Sequence, residues 1–302
     1  MMDTETKKLR AFVCAVESGS IAAAADKLGY SVSSISRMIH DLETSCTLRL
    51  LERSKIGVRP TSDGRALLPR ARRILSECDG FGEEAANIAG LQSGTVRIGT
   101  VSSVATHVLP AAISTLRKTH PALGFELLLG SYSEIELWLA EGRVDLGTLW
   151  LPVNESLSAD ALVTDCYIAV VNPSHPLAKA SAVPISSLEN EPFIELDYGD
   201  ESEVAQLFED RGLHIDPILS TCDNHAVLAL VEAGLGVAIM PSLSIRRTTY
   251  NVKCLPLDIP ALRNIGIAWR GDGIPTAAAR AFIEILRENE GKTRWTDAFS
   301  VS

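Results

Sequence analysis

Residues 21–40 read IAAAADKLGYSVSSISRMIH, and the architecture turns on whether they form a buried helical hairpin or a device for reading DNA. An alanine-packed segment, Ile21 to Leu28, precedes Gly29, the residue best able to take a positive φ between two helices. Ser20 and Ser31 stand where the N-caps of the two helices would fall. A helix-turn-helix needs a small residue where its helices cross and a glycine about four positions later. Ala25 and Gly29 meet that interval. In the second helix Ile35 and Met38, with Ile39 alongside, would supply the buried face. Ser31 at its start, then Val32, Ser33, Ser34, Ser36, Arg37 and His40, are left to face outward or frame the edge. Short hydroxyls allow close approach to a duplex, and an arginine can reach phosphate or guanine. An ordinary hairpin would carry the same pattern, so the flanks decide.

Upstream, Leu9, Phe12, Val13 and Val16 recur at helical spacing until Ser18-Gly19-Ser20 breaks the run. Downstream, LRLLERSKIGVRPTSDG (48–64) reads as a strand, a tip at Ser54-Lys55-Ile56-Gly57 and a return strand through Val58, which is a wing. Three cations there, Arg53, Lys55 and Arg59, would by themselves be a solvated cluster. Beside a helix-turn-helix they lie where backbone phosphates run.

A long helix is expected next, from about Thr61 to Leu91, with Thr61 as N-cap and Asp63 favourable in the first turn. Leu67, Ala71, Ile74, Cys78, Phe81, Ala85 and Ile88 follow one another in alternating steps of four and three. That heptad seam asks for a partner helix, over a length of about 45 Å. The competing reading lays the helix on a second domain of its own chain. Gly80 and Gly82 weaken it around Phe81.

With 302 residues the chain exceeds the usual size of one domain. Its net charge of -10 is unevenly spread: through Leu91 there are 13 Lys and Arg against 12 Asp and Glu, leaving 15 of the 28 basic and 26 of the 38 acidic residues to the remainder. Screening over about 8 Å lets a basic-leaning head hold phosphate despite the overall sign. The opening MMDTETKKLR does not resemble an export signal and no apolar run approaches the roughly 18 residues of a membrane span, so the cytoplasm is expected and no membrane partner. Cys14, Cys46, Cys78, Cys166, Cys222 and Cys254 lie far apart without a C-x-x-C pair, which argues for reduced, mostly packed thiols and against zinc.

After Gln92-Ser93-Gly94 strand and helix signals alternate: TVRIGT, a helix through Leu109 to Leu116, LGFELLLG, a helix around Ile135 to Glu141, then VDLGTLW. This is a βαβαβ unit with parallel strands. A similar unit follows in PFIELDYGDESE, a helix from Val204, an extended stretch near Ile218 and DNHAVLALVEAGLGVAIMP. NIGIAW and a helix from Pro275 to Arg287 close the chain back on the first lobe. Two such lobes enclose a cleft, with ligands beyond the carboxyl ends of the strands, at 100–103, 130–131 and 148–150.

Three segments together carry a family resemblance: LRAFVCAVESGSIAAAADKLGYSVSSISRMIHDLE, RLLERSKIGVRPTSDGRALLPRARRIL and GTVRIGT. The chain resembles the LysR-type transcriptional regulators over nearly its whole length. The resemblance implies an N-terminal all-α winged helix-turn-helix (1–60), a long linker helix for dimerisation (61–91) and a two-lobed α/β effector-binding domain of periplasmic-binding-protein type (92–302). Lobe I would hold about 94–161 and 266–302, and lobe II about 162–265. It further implies an effector between the lobes, touching Thr100, Ser102, Ser103, Ser131 and Thr148 from the first and Ser202 and Asn224 from the second. Hydroxyls and free N–H groups at helix starts suit a carboxylate or similar anion; the same serines could be plain N-caps. Glu195, Asp197, Asp200 and Glu201 would favour an amine or polyol if they line the cleft. The implied partners are double-stranded promoter DNA, a second copy of the chain as a dimer or a dimer of dimers, the effector and RNA polymerase, with no cofactor.

Departures from the family pattern matter. Val32-Ser33 stands where the family commonly has Gln-Pro, removing a side-chain donor and acceptor at the leading edge of the recognition helix and shifting weight toward DNA shape. Ser45-Cys46 and Leu51 replace the usual Leu-Gly and Phe, which is packing variation. Three other functions compete with this one. Catalysis lacks any H-E-x-x-H, G-x-S-x-G or P-loop, and a solute-binding role is disfavoured by the missing export signal. Redox sensing would use Cys166 and Cys222, although nothing nearby in sequence would lower their pKa.

Overall fold

The head begins with α1 (Met2–Ser18), α2 (Ile21–Leu28) and α3 (Val32–Cys46). The computed structural model describes residues 2–54, 57–88, 94–199, 203–271, 273 and 276–289. Gly19 and Gly29 take φ of 62° and 70°, turning the chain where a β-carbon would be strained. Ser31 caps α3, its Oγ accepting from Ser34 N at 3.1 Å. The buried stripe of α3 is Ile35, Ile39 and Leu42, at steps of four and three, packed with Phe12 and Ala25. Met38, expected to share that face, lies at its half-buried border, because the i, i+4, i+7 line alone stays in register with the crossing helices.

The wing forms as β1 (Leu51–Ser54) and β2 (Gly57–Pro60), antiparallel, with Glu52 opposite Arg59. Lys55 and Ile56 at its tip lie outside the described residues. Backbone donors in and beside the wing fix it to the helical part of the head. Val58 N donates to Gly19 O at 2.8 Å, and the Glu43 carboxylate of α3 accepts from Leu50 N and Leu51 N at 2.8 and 3.1 Å.

The long helix α4 (Ser62–Ile88) starts on Thr61, whose Oγ1 accepts from Gly64 N at 2.9 Å. Its heptad face is divided. Leu68, Ala71 and Leu75 are buried in the head's own core, with Leu67 packed against it. Ala71 therefore leaves the expected seam: the steps 67-71-74 and 68-71-75 share this residue, and the head covers its methyl. Ile74 (49% exposed), Phe81 (74%) and Ala85 remain open, and Cys78 is half-buried. The Ile88 side chain lies outside the described residues.

The remaining chain builds β3 (Gly94–Thr100), α5 (Ser102–His107), α6 (Leu109–Thr119), β4 (Leu123–Leu129), α7 (Tyr132–Ala140), β5 (Leu146–Trp150) and β6 (Leu157–Val171). There follow β7 (Phe193–Leu196), α8 (Glu203–Glu209), β8 (Pro217–Thr221), α9 (Asn224–Glu232), β9 (Ala238–Pro241), β10 (Lys253–Pro256), β11 (Leu262–Arg270) and α10 (Ala277–Asn289). One sheet runs β10-β6-β11-β5-β3-β4, with β9 also on β6, and β7 pairs with β8 apart from it. β3 pairs in parallel with β4 and β5, as the βαβαβ reading expects.

No motif marks β6 in the sequence, and it is the element that joins the lobes. Its first part pairs with β11 and its last part with β9 and β10. Leu162 and Val163 pack in one core, Tyr167 and Ala169 in the next. On the return, Ala261 belongs to the second core and Ile265 to the first. The lobes thus change over within 164–166 and 262–264, a few residues from 161 and 266. Among the described residues no helix is long and apolar enough to cross a membrane.

Candidate functional site

On the head, the outer face of α3 carries Val32 (51% exposed), Ser33, Arg37 and His40, all exposed, with Ser34 and Ser36 half-buried beside them. No ion pair or hydrogen bond holds the Arg37 guanidinium among the described residues. Ser31 Oγ lies 2.9 and 2.7 Å from the hydroxyls of Ser33 and Ser34, so the start of α3 presents a linked hydroxyl cluster over its free N–H groups. The wing stands across an open groove of about 990 Å³ lined by Ser36, His40, Thr44, Arg49, Glu52 and Arg53. Arg53, read from sequence as a phosphate contact, donates to Ser36 Oγ at 2.9 Å and so braces wing against helix. Arg59 is exposed on β2, while Lys55 lies outside the described residues. Arg49, exposed on the groove floor, was missed by the sequence reading; its place between α3 and β1 was the available signal.

The second site lies where β6 and β11 cross. Asp165 and Arg263 are register partners on the two strands and 1% and 5% exposed. Their charges meet at 2.9 Å. Arg263 Nη2 also donates to Ser103 Oγ at 3.1 Å, and Nη1 lies 3.4 Å from the Tyr132 hydroxyl, both on lobe I. Asp165 accepts from Ser242 Oγ at 2.6 Å and from Leu243 N at 3.3 Å, in the turn that follows β9 of lobe II and sets the Leu243 side chain in the lobe I core. One buried ion pair thus ties both lobes at the hinge. None of its members except Ser103 was singled out from the sequence, because Asp165 and Arg263 are 98 positions apart and neither sits in a motif.

The hydroxyls carried over by resemblance fall into two groups. Thr100 and Thr148 are wholly buried; Thr148 Oγ1 donates to Thr100 Oγ1 at 3.0 Å, and Thr100 Oγ1 donates to Val101 O at 3.2 Å. They join the ends of β3 and β5 and present no hydroxyl outward. Ser103 and Ser131 are 5% exposed at the starts of α5 and α7, and Ser102 is half-buried. Ser131 forms a capping box with Glu134, its plain structural role. Across the gap, Asn224 Nδ2 donates to the Tyr198 hydroxyl at 3.0 Å, while Asn224 Oδ1 is buried without a hydrogen bond. Ser202, Asp200 and Glu201 lie outside the described residues. Glu195 accepts from Ser220 Oγ and Asp197 from Gly199 N.

Cys222 and Cys46 are exposed, against the expectation of mostly packed thiols, because Cys46 is the last residue of α3 and Cys222 follows directly on β8. Burial pushes the Cys166 thiol up, away from the thiolate that oxidation needs. His107, at the end of α5, is held below its usual pKa by burial and then by Arg246 and Arg247 of the other lobe.

Residues 6–65 match the bacterial regulatory helix-turn-helix protein family, lysR type, and residues 89–291 match the LysR substrate binding domain. The chain belongs to the LysR family of transcriptional regulators. A probable HTH-type transcriptional regulator, LrrA of Synechococcus elongatus, is 30% identical over 291 residues, covering 96% of this chain and 98% of the relative. A probable hydrogen peroxide-inducible genes activator of Mycobacterium leprae is 29% identical, covering 93% and 92%. Full-length CbnR complexed with its target DNA has the same fold at a TM-score of 0.69 and 22% identity, covering 94% of this chain and 99% of that one. By its family and its relatives this LysR regulator is a DNA-binding transcription factor with an effector-binding domain, not an enzyme.

Proposed function

We propose that two copies of this regulator grip promoter DNA, with α3 of each head in a major groove, and that a small effector between the lobes sets the spacing of the heads. The observation that carries the DNA reading is the Arg37 guanidinium, exposed and unpaired among the described residues, beside Val32, Ser33 and His40 on the outer face of α3, with Arg49 and Arg59 also exposed on the head. Ile74, Phe81 and Ala85, left open on α4, support pairing through the linker helix, since a 27-residue helix with an uncovered apolar line is stabilised by a second copy. Further pairing of dimers, and contact with RNA polymerase, fit the same reading.

In the cleft, Ser102, Ser103 and Ser131 on lobe I and Asn224 on lobe II are the groups an effector would meet, with Arg263 at its floor. Hydroxyl donors and a guanidinium support an effector bearing acceptor oxygens such as a carboxylate toward lobe I. The buried Asn224 Oδ1 supports an N–H or O–H on its other end. The relative named for peroxide raises a redox reading for this chain too, but the raised Cys166 thiol weighs against it.

Selection of genomic fragments by the purified full-length protein tests the DNA reading, a two-fold-related site being the expected product. Sequence-independent recovery alone would defeat it. On that site Arg59→Ala should lower the slope of log affinity against log salt by about 0.9, the share of one phosphate contact, with preference among sequences unchanged. Filter or fluorescence titrations over a salt series measure it.

A further inference from the structure

Arg72 of α4 touches the head and lobe I together. Its guanidinium pairs with Glu141, the C-cap of α7, and its Nε lies 3.4 Å from Oε1 of Glu17 on α1. The Arg72 side chain is 11% exposed and that of Glu141 15%. Arg72 Nε is buried yet makes no hydrogen bond, so the contact with Glu17 is close but unaligned. Two turns further along the same face, Asp79 repeats the arrangement with the opposite sign, meeting Arg10 of α1 at 2.6 Å and Arg97 of β3 at 3.6 Å.

The helix that delivers Glu141 starts at the hinge. Tyr132, the first residue of α7, meets Arg263, and Glu141 ends the helix about 13 Å away at 1.5 Å per residue. α7 is seated as one body with its sheet: Ile135 and Leu139 are fully buried, and a β-carbon on Gly147 of β5 would stand 2.7 Å from both. A shift of lobe I about the Asp165–Arg263 pair therefore appears undiminished at Glu141.

From this geometry we infer that Arg72 relays the position of α7 to the DNA-binding head of the same subunit, with Asp79 as a second, parallel tie. Arg72 cannot follow Glu141 without changing its distance and angle to Glu17, which lies on the helix that packs directly against α3. The input to the relay rests on the cleft reading above; the coupling of Glu141 to the head does not.

Hydrogen exchange at α1 amides in the full-length, effector-free protein tests it. Glu141→Gln, a change in lobe I whose ion pair among the described residues is with Arg72 alone, should speed exchange around Glu17 at least threefold. The same change should add nothing once Arg72→Met or, as a milder break, Glu17→Gln is present. Unchanged α1 exchange, or equal acceleration in the broken backgrounds, would overturn the relay. Ser102→Trp, which crowds the cleft, separates the two readings: a response to Glu141→Gln without one to Ser102→Trp keeps the relay and removes the cleft as its input.

Discussion

Asp165→Ala should cost the effector domain about 3–5 kcal/mol, the usual consequence of leaving a buried charge without its partner. Arg263 is 5% exposed, and Asp165 is the carboxylate that balances it at 2.9 Å. The same substitution strands Ser242 Oγ and Leu243 N, which both bond to Asp165. Arg263→Met should cost less, because Asp165 keeps those two donors. The double variant should recover the part of the Asp165→Ala loss that comes from the unpaired guanidinium, but not the part from Ser242 Oγ and Leu243 N, which stay stranded. Urea unfolding followed by tryptophan fluorescence reads the lobe I side through Trp138, Trp150 and Trp269. A loss under about 1 kcal/mol for Asp165→Ala would mean that the guanidinium is solvated and the hinge is not pinned by this pair.

That pair also marks where the sequence stops being readable. The head was legible because its signals are local: Gly29 between two helices, Ser20 and Ser31 as caps, and an apolar stripe at helical spacing all act within a few residues. The parallel strands of lobe I were legible for the same reason. β6 was not, since its 15 residues mix Ala159, Asp160, Thr164 and Asp165 among apolar ones as the strand passes from one core to another. The heptad line of α4 was read correctly as apolar, but periodicity cannot say which partner covers each position, and the head had already claimed Ala71. Likewise a serine at a helix start reads the same whether it caps the helix or meets a ligand. Thr100 and Thr148 show how a third use, bonding to each other, stays hidden until the strands are side by side.

The largest expected change in binding is at Arg37. Among the described residues its guanidinium is exposed on α3 without a protein partner, whereas Arg53, across the groove, already donates to Ser36. Arg37→Ala should weaken binding to the selected site by about 1–3 kcal/mol, roughly 5- to 150-fold, the range for an arginine that reads a base edge. Non-specific binding should change far less, so the gap between the two narrows. An arginine serving only phosphate would instead weaken both equally and lower the salt slope by about 0.9. Val32 makes this contrast sharper. With an apolar side chain 51% exposed at the leading edge, α3 offers methyl groups suited to thymine where the family commonly places an amide. The direct hydrogen-bonding load then falls on Arg37, with Ser33 and His40 beside it. Titration of Arg37→Ala against the selected site and a scrambled fragment at one salt concentration decides the matter. Unchanged affinity would move the reading face off this side of α3 and toward Arg49 and the wing.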